Sequence, residues 1–119
     1  MKLAITSEGE TLQSAVDPRF GRAKFFVVVD TETQAVAAVS NTVNLNAAQG
    51  AGIQAGKTVA ELGVKTLITG HVGPKAFSTL QAAEIEIYTG AGGCVADAVD
   101  QWKAGKLKAA QSPDVAGHW

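Results

Sequence analysis

The stretch VKTLITGHVGPKAFSTLQAAEIEIY, residues Val64–Tyr88, decides the fold class of this chain of 119 residues. It opens with a β-branched run, Val64–Thr69, that is typical of a buried strand. Pro74 stands where a helix would begin, since its fixed φ and missing N–H cost nothing at the first helical position. Apolar residues recur at helical spacing over 76–83, and Ile85–Tyr88 alternates with glutamates as in an edge strand with one wet face. The stretch predicts a right-handed crossover between two parallel strands.

Before this crossover the sequence predicts three strands and a helix. The strands are Lys2–Thr6, Phe25–Asp30 and Ala35–Ser40, and the last two form a hairpin. An asparagine-rich loop, Asn41–Asn46, leads to a helix from Ala48 to Leu62 that ends at Gly63. Each glycine inside this helix lowers its propensity by about 1 kcal/mol relative to alanine. We therefore expect another group to approach its backbone closely.

After the crossover, apolar residues at helical spacing over 95–102 predict a third helix, which Gly105 closes. The element order β-β-β-α-β-α-β-α predicts an α/β fold with a mixed sheet flanked by helices. Residues 1–105 are predicted to form a single domain, and residues 106–119 a C-terminal extension or tail.

Composition limits the classes of function. The chain is 46% apolar and 18% charged with a net charge of −1, which predicts a folded domain that binds no nucleic acid. It contains no run of about 20 apolar residues, so no membrane span is predicted. A single cysteine, Cys94, excludes an internal disulfide and favours a reducing compartment. We therefore expect a cytoplasmic protein.

Side chains for metal or catalytic chemistry are few. Cys94, His71, His118 and Met1 are the only thiol, thioether or imidazole groups. A structural zinc site or a cysteine-ligated iron–sulfur cluster needs about four such ligands, so one chain cannot build either. The segment AGIQAGKT, Ala51–Thr58, approaches a phosphate-loop motif but has alanine for the first glycine and no strand directly before it. No catalytic triad is evident, and we predict that the protein is not an enzyme.

Three glycine-rich segments lead into the predicted helices: Gln49–Gly52, Gly70–Lys75 and Gly90–Gly93. Helix N-termini offer unpaired N–H groups and a positive dipole end, and glycines let an anion come close. Arg22 and Lys75 are the cations expected nearest to such a site. The alternative is that these glycines only cap and turn.

Two side chains have open roles. His71 either caps a turn or packs on Pro74, or it binds an anion or a metal. Cys94 is either a small buried residue or a thiolate stabilised by the helix dipole.

Several segments resemble the dinitrogenase iron–molybdenum cofactor biosynthesis family over roughly residues 1–105. They are Phe20–Asp30, Gly50–Ile53 and Ala60–Tyr88, of which Phe20-Gly21-Arg22-Ala23 and Gly73-Pro74 with Ala76-Phe77 are the most specific. The resemblance implies a ribonuclease-H-like fold with five strands in the order 3-2-1-4-5. It also implies molybdenum- or iron-containing sulfide clusters as ligands, and small stand-alone members hold a molybdenum–copper sulfide cluster non-covalently. Glu84 departs from the family pattern, and residues 106–119 match nothing that can be placed.

Together the residues and the resemblance predict a non-catalytic carrier or scaffold for a molybdenum–copper sulfide cluster or a related thiomolybdate. A protein donor or acceptor of the cluster is an expected partner. The predicted cluster-binding residues are Phe20, Gly21, Arg22, Gly70, His71, Gly73, Pro74, Lys75, Gly92 and Gly93, and His71 is the best single candidate for a metal ligand. The alternatives are a small protein-interaction or regulatory domain and a domain that binds a phosphate ligand.

Overall fold

The computed structural model describes residues 1–42 and 50–113. The predicted Asn41–Asn46 loop beyond residue 42, the first two residues of the predicted helix from Ala48, and His118 and Trp119 lie outside these ranges. Within them the elements are β1 (Lys2–Ser7), β2 (Phe25–Asp30), β3 (Val36–Ser40), α1 (Ala51–Glu61), β4 (Thr66–Ile68), α2 (Pro74–Ala82), β5 (Glu86–Thr89), α3 (Val95–Lys103) and β6 (Lys108–Ala109). A one-turn 3-10 helix, Phe20–Arg22, precedes β2. No helix of these residues has the length and apolar character needed to cross a bilayer.

The strands form one mixed sheet in the order β3-β2-β1-β4-β5-β6. β1 pairs antiparallel with β2 and parallel with β4, and β4 pairs parallel with β5. This confirms the α/β class, the hairpin, the parallel crossover and the predicted order of the first five strands. The ribonuclease-H-like classification stays a prediction.

The prediction of five strands is wrong, because β6 adds a sixth. β6 pairs antiparallel with β5 through Tyr88↔Ala109 and Thr89↔Lys108, so the prediction that β5 is an edge strand is wrong as well. A strand of two exposed residues carries no apolar alternation, and its pairing depends on the backbone alone. The weak signal was in the flanking residues, since Leu107 and Ala110 pack against the two apolar clusters of the sheet.

The helices cover both faces of the sheet. Ala4 and Leu67 belong to the apolar cluster that contains residues of α1 and α2. Ile5 and Ile68, one residue further along β1 and β4, belong to the cluster that contains residues of α3. Because side chains alternate along a strand, α1 and α2 lie on one face and α3 on the other.

The glycines inside α1 are explained by its contact with α2. A Cβ on Gly56 would lie 2.8 Å from Thr79 Cγ2, and one on Gly52 would lie 3.2 Å from Ala76 Cβ. The close approach predicted from the sequence is therefore made by a neighbouring helix. As a result, the N-terminal turns of α1 and α2 lie side by side.

Candidate functional site

The first loop, residues 17–23, and the second loop, residues 70–73, are hydrogen bonded to each other. The His71 N–H donates to the Pro18 carbonyl (2.7 Å), and the Phe20 N–H donates to the His71 carbonyl (3.2 Å). Gly70 allows this contact, because a Cβ there would lie 2.7 Å from Pro18 Cα and 2.8 Å from the Pro18 oxygen. The predicted residues of both loops are therefore brought together, with the His71 backbone at the junction.

The 3-10 helix Phe20–Arg22 connects the first loop to the core. Phe20 is fully buried, and its ring centroid lies 5.7 Å from that of Phe26. The turn packs against α1. Phe20 and Gly21 therefore support the loop from inside, whereas Arg22 is half-buried at its end.

The N-termini of α1 and α2 converge beside these loops. Gly50, with φ +76°, caps α1 and Gly73 caps α2, and neither helix has a side-chain cap from the described residues. The first backbone bonds of the two helices are Gln54 N–H to the Gly50 carbonyl and Phe77 N–H to the Gly73 carbonyl, both 2.9 Å. The amides before these bonds have no intrahelical acceptor. Two positive dipole ends thus lie side by side, and that of α2 directly follows the second loop.

The N-terminus of α3 has a different environment. The Val95 and Ala96 N–H groups donate to the Ser14 and Leu12 carbonyls, both at 2.9 Å, and the Cys94 N–H donates to Asp97 Oδ2 at 3.1 Å. Its first-turn donors are therefore already bonded within the chain.

The predicted residues Gly92 and Gly93 belong to the turn before α3. Gly93 accepts from the N–H of Val16, a residue of the cluster on the α3 face. The start of this turn instead braces the second loop, since the Gly90 N–H donates to the Gly70 carbonyl (3.0 Å). The turn that contains Gly92 and Gly93 is thus bonded to the second loop through Gly90 and, through Gly93, to Val16, the residue before the first loop.

Positive groups outnumber acids around the two loops. Lys75 is exposed in the first turn of α2, and the first turns of α1 and α2 contain no acid. Asp17 is buried, and its Oδ1 accepts from the Arg19 N–H (3.0 Å) and lies 4.0 Å from Arg19 Nε. Burial raises the pKa of the Asp17 carboxyl above its ordinary value, although the Arg19 N–H and guanidinium oppose this rise.

Direct metal coordination has little support in the described residues. They contain no group of three or more His, Cys, Asp or Glu side chains that could hold a metal ion. His71 is exposed, and its backbone makes the contacts between the loops. A role of its imidazole as a metal ligand stays a prediction, as do the ligand contacts of the other predicted residues.

Sequence reasoning missed the residues that hold the loops in place. Thr6 and Thr69 are buried at the carboxyl ends of β1 and β4, and Thr6 Oγ1 hydrogen bonds to the Asp17 carbonyl (2.7 Å) and to Thr69 Oγ1 (2.9 Å). The signal was present, because the apolar runs KLAIT and TLIT both end in threonine.

The raised pKa of Asp17 predicts how stability depends on pH. The folded state binds the proton of the Asp17 carboxyl more tightly than the unfolded chain does. The ionised carboxyl therefore lowers the free energy of unfolding progressively as the pH rises from the unfolded pKa of about 3.9 through the folded-state pKa. Asp17→Asn keeps an acceptor for the Arg19 N–H and removes the buried charge. We expect its melting temperature to equal or exceed that of the wild type at pH 7, with the difference lost below the unfolded pKa.

Asp30→Asn is the control, and its expected effect on stability has the opposite sign. The Glu32 and Thr33 N–H groups donate to Asp30 and lower the pKa of its carboxyl. This variant should be less stable than the wild type at pH 7, and the deficit should disappear as the pH falls through the folded-state pKa. Thermal unfolding from pH 3 to 7.5 checks both variants. An Asp17→Asn protein that loses stability at pH 7 would contradict the assignment.

The fold and this site define a small α/β binding domain with two converging helix N-termini and no cluster of metal-ligating side chains in its described part. The chain belongs to the dinitrogenase iron–molybdenum cofactor family, whose model matches residues 1–105. It is similar to the apo form of the orange protein from Desulfovibrio gigas, with 43% identity, a TM-score of 0.93 and coverage of 96% of both chains. A putative NifB protein from Thermotoga is 39% identical, with a TM-score of 0.80 and coverage of 91% of both chains. An uncharacterized protein of Methanocaldococcus jannaschii is 27% identical over 111 residues, which are 91% of this chain and 90% of that protein.

Proposed function

We propose that this protein is a non-catalytic carrier or assembly scaffold for an anionic molybdenum–sulfide cluster, with or without copper, held without covalent bonds. Membership of the family and the similarity to the orange protein support a cofactor-binding or carrier role. The choice of molybdenum, copper and sulfide comes from the family resemblance and is part of the proposal. So are the cytoplasmic location and a protein that gives or receives the cluster.

The convergence of the α1 and α2 N-termini is the observation that carries the proposal. A thiometallate already has its metal saturated by sulfur, so it needs hydrogen-bond donors and positive charge rather than protein ligands to the metal. Each helix N-terminus contributes about 0.3–1 kcal/mol to anion binding when exposed and up to about 2 kcal/mol when partly buried. Arg22 and Lys75 would add charge-assisted hydrogen bonds, which are roughly twice as strong as neutral ones.

Retention of a thiomolybdate tests the function. We expect the metal-free protein, mixed with tetrathiomolybdate alone or with copper(I) and then desalted, to keep a visible chromophore. Elemental analysis should find molybdenum in stoichiometric amount, because both hydrogen bonds and electrostatic attraction hold the anion on the protein. Retention should weaken as ionic strength rises, since the site is open to solvent.

Two further ligands separate the alternatives. Phosphate and ATP at the same concentration should leave the melting temperature nearly unchanged, whereas stabilisation by ATP alone would favour a phosphate-ligand domain. A protein that loses all colour to the small-molecule fraction and captures a stoichiometric, metal-free protein partner would contradict the proposal and favour an interaction domain.

A further inference from the structure

Two buried hydroxyl groups lie beneath the junction of the first and second loops. Thr6 and Thr69 have no exposed surface, and their Oγ1 atoms are 2.9 Å apart. Thr6 Oγ1 is also 2.7 Å from the Asp17 carbonyl oxygen. Thr6 Oγ1 is the donor toward both the Asp17 carbonyl and Thr69 Oγ1, so its one proton is shared between these two acceptors. The result is a chain of hydrogen bonds from β4 through β1 to the first loop.

Backbone bonds extend this chain on both sides. The Asp17 N–H donates to the Thr6 carbonyl (3.0 Å), so Thr6 bonds both the backbone N–H and the backbone carbonyl of Asp17. The Thr69 N–H donates to the Tyr88 carbonyl (3.0 Å), and the Thr69 carbonyl accepts from the Ala91 N–H (3.2 Å). Thr69 is therefore fixed to β5, and the hydroxyl pair links that fixed point to the first loop.

We propose that the Thr6–Thr69 hydroxyl pair is a positioning device that sets the first loop against the second and thereby gives the binding site its geometry. Asp17 is followed in the chain by the residues of the two bonds that join the loops. These bonds are His71 N–H to the Pro18 carbonyl and Phe20 N–H to the His71 carbonyl. A shift of Asp17 changes both, and with them the placement of Arg22. The part of this inference that concerns the ligand rests on the proposed function, whereas the part that concerns the loops does not.

Thr6→Val tests the loops in the ligand-free protein. Valine has a similar shape but no hydroxyl, so it leaves both the Asp17 carbonyl and the Thr69 hydroxyl without this donor. Hydrogen exchange should show about a tenfold loss of protection at the Phe20 and His71 amides, equivalent to about 1.4 kcal/mol. The Glu86 amide, which donates to the Lys65 carbonyl at the other end of the sheet (2.9 Å), reports global stability and should lose less.

Three variants complete the test. Thr6→Ser keeps the hydroxyl and should restore the protection of both loop amides. Thr66→Val is the matched control, because Thr66 is buried on β4 and its Oγ1 has no hydrogen-bond partner within the described part of the chain. It should leave the loop amides unchanged. In the Thr6→Val background, Thr69→Val should have a smaller effect than in the wild type, as expected for residues of one network.

The ligand supplies the second readout. Thr6→Val should bind tetrathiomolybdate about tenfold more weakly than the wild type, with an altered visible circular dichroism of the bound anion, and Thr66→Val should bind like the wild type. Equal loss of protection at Phe20, His71 and Glu86, or no loss at all, would overturn the positioning role. Failure of the wild type itself to bind would overturn the proposed function alone, because the amide measurements still decide the role of the hydroxyl pair.

Discussion

Gly70→Ala should destabilise the protein by about 3 kcal/mol and abolish retention of thiomolybdate. The new Cβ would meet Pro18 at 2.7–2.9 Å, and two of the three nearest atoms, Cα and the carbonyl oxygen, belong to the Pro18 backbone. No side-chain rotation relieves such a contact, so the effect should lie at the upper end of the usual 1–3 kcal/mol range for overpacking. For a domain of this size the melting temperature should fall by roughly 10 °C. The two loops must separate, and the site that they are proposed to form with the two helix N-termini is lost.

Gly92→Ala is the matched control for this substitution. Gly92 is exposed, a Cβ there would meet nothing within 4 Å, and its φ is not positive. We expect its melting temperature to lie within about 4 °C of the wild type, since an unhindered alanine changes stability by less than 1 kcal/mol. This variant is the control for stability alone, because Gly92 is itself a predicted cluster-binding residue. A Gly70→Ala protein as stable as Gly92→Ala would show that the loops are not packed as described.

Removing the charges at Arg22 and Lys75 should weaken thiomolybdate binding by about 100-fold at low ionic strength. Each residue is expected to supply one charge-assisted hydrogen bond or close ion contact, and losing one is worth about 1.5–3 kcal/mol, or roughly tenfold or more. The variant Arg22→Gln/Lys75→Gln keeps the side-chain lengths similar. The difference from the wild type should shrink as salt is raised to 1 M, where the Debye length falls to about 3 Å.

The control pair is Lys2→Gln/Lys65→Gln, which changes the net charge equally at the opposite end of the sheet. The Lys65 N–H donates to the Lys2 carbonyl (3.2 Å), so the backbones of these two lysines are neighbours. Binding should change by less than twofold. Equal losses in both double variants would mean that only net charge matters, and the proposed location would be wrong. The single variant Lys75→Gln changes only an exposed side chain, so we expect it to weaken binding without changing stability. It therefore separates an effect on binding from any loss of stability caused by the change at half-buried Arg22.

The fold could be predicted largely because its signals are local and strong. The β-branched run before Gly70, the proline at the start of α2 and the helical spacing after it together required a parallel crossover. β6 could not be predicted, because Lys108 and Ala109 join the sheet through backbone bonds to β5 that leave no pattern in the side chains. For the same reason, the sequence pattern alone predicts β5 at the edge of the sheet.

The two loops of the candidate site could be located from the sequence, whereas their ligand contacts stay a prediction. Glycine-rich helix starts and the Phe20–Arg22 and Gly70–Lys75 segments identified the two loops, which the structure brings together. The sequence could not show that Gly52 and Gly56 serve helix packing, since a glycine has the same appearance whether a ligand or a helix approaches it. It also could not show that the first-turn donors of α3 are bonded to the Ser14 and Leu12 carbonyls, because those bonds join segments about 80 residues apart.

An amide chemical-shift titration with tetrathiomolybdate tests the central claim most directly. We predict that the largest shifts of the wild-type protein occur at the first-turn amides of α1 and α2, Ala51, Gly52, Lys75 and Ala76, with smaller shifts in the Phe20–Arg22 turn. The Val95 and Ala96 amides, which are already bonded, should barely move. Shifts concentrated at the start of α3, or spread evenly over the surface lysines, would contradict binding by the two converging helix N-termini.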